Sequence, residues 1–166
     1  MTDRSLLATP WVEIGLDETE LRSRAASGID EIESLAMGAR RTSTACFKHD
    51  PPTPLELEQA IDAIEDELMR VRRAPSGSSR LATRDPAIAA LADAAGVAPA
   101  QDRELSLELV ESLFQRLVFA SLAQRGAARD LPVGPEAAAT LLILRELMHH
   151  RGFKAISVLP AGPSSG

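Results

Sequence analysis

Between Ala137 and Leu144 the chain reads Ala-Ala-Ala-Thr-Leu-Leu-Ile-Leu, a run that is apolar nearly all round when wound into a helix. A helix without a polar face has to be packed on several sides, so the remainder of the chain must surround it. Val133-Gly134-Pro135 sets its start near residue 135, and Gly152 closes it just after His150. The apolar run is far shorter than the roughly 20 residues that span a bilayer, so it predicts a central core helix and no membrane contact.

Further helices with a single apolar stripe are available to cover it. Thr53-Pro54-Leu55-Glu56 combines a cap, a proline at the first helical position and a capping box. Leu57, Ile61, Ile64, Leu68 and Val71 then recur at intervals of three and four, and Arg70, Arg72 and Arg73 favour the carbonyl end. Asp85-Pro86 opens a shorter helix with Ile88, Leu91, Ala92 and Ala95 inside and Gly96 as its stop. From about Leu105 to Gln124, Leu109, Leu113, Leu117 and Ala120 form a wide stripe joined by Val110, Phe114 and Val118, ending at Gly126. A fifth helix is expected over about residues 18–38. Asp17 and Glu20 have capping-box spacing, Leu16 and Leu21 form a staple, and Leu21, Ala25, Ile29, Ile32, Leu35 and Ala36 keep helical spacing despite Gly28.

Three segments read as extended: Trp11–Ile14, the β-branched Thr42–Phe47, and Phe153–Leu159. Aromatic residues are only 3% of the 166, with no Tyr, so the core is aliphatic. That palette favours helices over a sandwich or barrel. The predicted fold is mostly α: a five-helix, antiparallel bundle-like domain with at most a small two- or three-stranded β-ribbon. Residues 1–160 form a single helical domain with a flexible loop at about 74–80, and residues 161–166 form a loose C-terminal tail.

Charge excludes some partners. Lys and Arg total 18 against 24 Asp and Glu, a net charge of −6, with only short basic clusters, so nucleic acid is not an expected partner. A lone cysteine, Cys46, rules out an internal disulfide and a structural zinc cluster, and a small buried thiol is the expected state. The first eight residues make a poor signal peptide, so the cytoplasm is the expected location. No Walker-type loop, GxGxxG or GxSxG pattern occurs.

Two constellations could carry chemistry. Glu58, Asp62, Glu65 and Asp66 share one stripe of the helix that starts at Pro54, readable as a solvated face, a contact for a basic protein surface, or a hard-metal site. Glu146, His149 and His150 stand three and four apart, so Glu146 can converge with either histidine, a spacing used in di-metal bundles. The competing reading makes His149, His150 and Arg151 partners of the carbonyl end of the helix. His49 is a further ligand for that cluster if the fold brings it near.

The expectation for function is a non-enzymatic helical interaction or adaptor module without cofactor, self-associating as a homodimer, with a basic protein surface as a second contact. The alternative is a metal-binding helical protein, an oxidoreductase or hydrolase, holding a divalent transition metal on Glu146, His149 and His150 with Glu58 and Asp62.

Overall fold

The computed structural model describes residues 9–161 apart from 26, 72–76, 124–128 and 133. In chain order the described residues form β1 (Trp11–Ile14), β2 (Thr19–Arg24), β3 (Asp30–Leu35), α1 (Ala39–Cys46), α2 (Pro54–Arg70), β4 (Arg80–Thr83), α3 (Pro86–Ala94), β5 (Glu104–Ser106), α4 (Leu107–Ser121), α5 (Pro135–Arg151) and β6 (Ala155–Val158). The strands make one mixed sheet in the order β3-β2-β1-β4-β6-β5. β1, β2 and β3 form an antiparallel meander, β1, β4 and β6 run parallel, and β5 returns antiparallel to β6. The expected helical bundle with a small ribbon is therefore corrected to an α/β fold built on a six-stranded sheet.

Residues 18–38 account for most of that correction. They form the β2–β3 hairpin, not a helix, paired from Thr19↔Leu35 to Arg24↔Asp30. The buried positions Thr19, Leu21, Glu33 and Leu35 are spaced by two, whereas Ile29 and Ile32, counted into a helical stripe, are exposed. Thr42–Phe47, expected to be extended, lies mostly in α1. The amides of its first turn find acceptors in the β1–β2 loop: Ala39 N–H donates to Gly15 O (2.9 Å), while Arg40 and Arg41 donate to Leu16 O (2.9 and 3.0 Å). Those bonds, with burial of Thr42 and Ser43, outweigh the β preference of the segment. Gly38 permits the approach, because a Cβ there would stand 2.6 Å from backbone atoms of Leu16 and Asp17.

α5 is the central helix the sequence demands. It is buried from Ala138 through Leu144, and packs against α1, α2, α3 and α4. Gly152 ends it in the left-handed region at φ 75°. Near that end, Arg151 reaches Glu33 on β3 in a buried ion pair and donates to Val71 O (2.9 Å), fastening α5 to the sheet and to the end of α2. The capping box of α2 forms as expected: Glu56 N–H donates to Thr53 Oγ1, and the Glu56 carboxylate accepts from Thr53 N–H. No helix among the described residues is long and apolar enough to cross a membrane. The expected loop at 74–80 lies outside the described residues up to residue 76, and Arg80 already opens β4. Gly126, residues 1–8 and tail residues 162–166 also lie outside them.

Candidate functional site

Parallel strands that end side by side leave a crevice at their carboxyl ends, the usual ligand position in open α/β sheets. Here the crevice lies beyond Ile14 of β1 and Thr83 of β4. Two adjoining cavities of about 470 and 460 Å3 open there and share Glu13, Asp85 and Pro86. The first is completed by Trp11, Glu20, Arg22 and Arg84; the second runs past Gly15 to Ala39, Glu136 and Thr140, at the amino ends of α1 and α5.

Asp85 holds this corner together. Its buried carboxylate accepts from Ile14 N–H (2.8 Å) at the end of β1 and from Ala87 N–H (2.9 Å) in the first turn of α3. Thr83 backs it, accepting from Asp85 N–H (3.0 Å) while donating to Val12 O (2.8 Å). The β1–β2 loop closes on itself, Gly15 N–H donating to Glu18 O (2.9 Å), and then docks on α1. The first turns of α1 and α3, which would otherwise offer free amides to an anion, are thus supplied with acceptors by the chain itself. α5 differs: Gly134 caps it without a side chain, leaving its amino end uncapped beside the crevice.

The charges at the rim are mixed. Arg84 lies over the Trp11 ring, 5.1 Å from its centroid, and Arg22 is held by Glu20 (2.7 Å). Asp17 bonds Arg40 and raises its pKa above the ordinary guanidinium value, with a smaller contribution from the charge of Glu136. Glu13 is exposed, its side chain makes no hydrogen bond or ion pair among the described residues, and beyond the Glu20 bond its charge adds a small contribution to the raised pKa of Arg22. The crevice can therefore present loose carboxylates, Glu13 and Glu136, beside one guanidinium, Arg84, that is free of carboxylate partners among the described residues.

The structure disperses the residues singled out from the sequence. Glu146 and His150 come together, but the third group beside them is Glu65, not Glu58 or Asp62, both of which are exposed on α2 outside that cluster. His149 points to another neighbour, pairing with Glu111 on α4. Burial raises the Glu111 carboxyl, yet bonds from His149 and Arg145 outweigh it and leave its pKa below the ordinary value. The imidazoles of His149 and His150 thus meet carboxylates of neighbouring helices instead of serving the carbonyl end of α5. His49 is remote from this group in its bonding: its Nδ1 lies 3.0 Å from Glu56. Cys46 is half-buried, and burial pushes its thiol pKa up, as suits an inert thiol. The crevice residues gave no distinct sequence signal. Asp85 is legible only as a helix cap, and Glu13 and Arg84 are single charges on strands of four residues or beside them.

No protein-family model matches the sequence, and no curated protein matches it either. Solved structures match the fold. A Ppx/GppA enzyme of Aquifex aeolicus superposes with a TM-score of 0.71 at 19% identity, covering 93% of this chain and 54% of that one. The type II variant of the Aquifex aeolicus Ppx/GppA phosphatase gives 0.70 at 20% identity, covering 93% and 53%. An exopolyphosphatase from Cytophaga hutchinsonii gives 0.67 at 14% identity, covering 92% and 53%. At these identities the likeness is one of fold, and the chain spans about half the length of the structures it matches. The adaptor expectation is corrected accordingly. That expectation rests on the absence of catalytic motifs and on the amount of aliphatic helix surface, whereas the chain has the α/β fold found in these phosphatases.

Proposed function

We propose that this chain is a phosphate-handling half of a Ppx/GppA-type phosphatase, binding a phosphoanhydride or phosphate ester in the crevice beyond β1 and β4, with hydrolysis completed by a second domain. The observation that carries this reading is the fold match over 93% of the chain but only about half of each phosphatase, with the open crevice at the carboxyl ends of the parallel strands.

The residues constrain how phosphate would bind. Carboxylates at the rim repel a bare polyanion, and the amides of α1 and α3 are already supplied with acceptors. A magnesium ion would resolve that conflict, because magnesium commonly joins protein carboxylates to phosphates. Glu13 and Glu136 would hold the ion, whose chemistry is to neutralise phosphate charge. Arg84 contributes a guanidinium on the Trp11 side, and the uncapped end of α5 faces the same space. Asp85 is a positioning residue: its oxygens hold β1 against α3 and so fix Glu13 beside Arg84.

The test is equilibrium binding of inorganic tripolyphosphate, with and without magnesium. The expected result is magnesium-dependent binding that falls at least about tenfold in Glu13→Gln and in Arg84→Ala, about 1.4 kcal/mol each. Absence of binding at millimolar ligand, or equal binding in chelator and in both variants, would overturn the reading.

A further inference from the structure

The packing of α2 on α5, away from the crevice, gathers three metal-ligating side chains. Glu146 and His150 stand four residues apart and share a face of α5, and Glu65 meets them from α2. One ligand atom from each lies within 4.8 Å of the others. We propose that Glu65, Glu146 and His150 bind a divalent transition cation of the zinc type, which clamps α2 to α5.

Three observations support the assignment. The first is spacing: His150 Nε2 lies 3.5 Å from Glu65 Oε1, longer than a well-formed hydrogen bond. Two ligands about 2.1 Å from a tetrahedral ion stand about 3.4 Å apart, so this pair already has the separation that coordination requires. The second is charge. Glu111 and Glu146 share one guanidinium, that of Arg145, which lies over the Phe114 ring, and Glu65 adds a further carboxylate beside Glu146 and His150. Three carboxylates thus meet one guanidinium, and a divalent cation would offset the surplus of acidic groups. The third is the gradient of burial: Glu146 is 3% exposed and forms the floor, while the His150 and Glu65 side chains are 31% and 42% exposed. An ion can enter from the solvent side and keep water in a remaining position.

Arg145 does not block the site. Ligating carboxylates are themselves commonly held by hydrogen bonds, and Arg145 orients Glu146 in that manner. One imidazole with two carboxylates suits zinc or manganese better than the all-oxygen shells of magnesium or calcium.

The experiment is zinc titration of the full chain near pH 7 by calorimetry, with melting curves in the same buffer. One zinc per chain is expected, with affinity reduced at least about tenfold in His150→Ala and in Glu65→Gln. His149→Ala and Asp62→Asn should bind as the native chain does. Zinc should raise the melting temperature of the native chain and leave that of His150→Ala unmoved. Both ligand variants change exposed or half-exposed side chains, so their folding is checked by the same melts without metal. Failure to bind one equivalent, or native affinity in either ligand variant, overturns the proposal, as does a loss that follows His149 or Asp62 instead.

Discussion

Replacing Asp85 with alanine removes two bonds at once. The carboxylate caps α3 through Ala87 N–H at 2.9 Å and latches the end of β1 through Ile14 N–H at 2.8 Å. Loss of an N-cap costs about 0.5–2 kcal/mol. Ile14 is 5% exposed, so water cannot readily replace the second acceptor, and an unsatisfied buried amide costs about 1–3 kcal/mol. Asp85→Ala should therefore lower stability by about 2–4 kcal/mol, read as a shift of the urea midpoint at constant slope. Asp85→Ser separates the two parts. Serine caps well but its hydroxyl cannot serve both amides, so it should recover about 1 kcal/mol and leave the β1 latch broken. A loss under about 0.5 kcal/mol in Asp85→Ala, or full recovery in Asp85→Ser, would refute the two-bond account.

Gly38→Ala should cost at least about 1–3 kcal/mol in the same denaturation assay, because its Cβ would meet Leu16 and Asp17 backbone at 2.6 Å and lift the β1–β2 loop from α1. Ile64→Ala should cost about 2–5 kcal/mol, since Ile64 is 1% exposed in the core; a near-zero loss would mean that the α2 stripe is not packed as described. The Glu56 carboxyl is held at about 2, below its ordinary 4.5, chiefly by the Thr53 backbone amide, with His49 and Lys48 assisting. A depressed carboxylate stabilises the fold above the unfolded value and loses that contribution as pH falls, so stability should decline between about pH 4.5 and 2. Glu56→Gln should flatten that part of the profile, measured as urea midpoint against pH.

Helices with chemical punctuation were legible in the sequence. The Thr53–Glu56 box starts α2, Asp85-Pro86 starts α3, and Gly134-Pro135 with Gly152 bracket α5. Their signals are local, so one sequence carries them. β1 and β6 were also legible as extended pieces, but not the sheet that joins them. β4 is the missing link: Arg80–Thr83 is four residues long and sits directly after a Ser/Gly-rich stretch, so no period can establish itself. Without it, Trp11–Ile14 and Ala155–Val158 have no partner and look like ribbon fragments. The hairpin at residues 19–35 misled differently. Leu21, Ile29, Ile32 and Leu35 satisfy a helical template, while Glu33 sits buried against Arg151, a pairing across 118 positions that no local pattern reveals. The same limit governs the site. Glu146 and His150 were legible because one helix turn relates them, but Glu65 required knowledge of how α2 crosses α5. The crevice, assembled from β1, β4, α1, α3 and α5, left no signature at any single spacing.

Phosphate binding in the crevice beyond β1 and β4 can be read residue by residue from amide chemical shifts of the isotope-labelled chain as magnesium tripolyphosphate is added. Shifts should concentrate at residues 13–18, 84–87 and 136–137 and be absent when magnesium is withheld. Shifts confined to other parts of the molecule, or none at millimolar ligand, would contradict it.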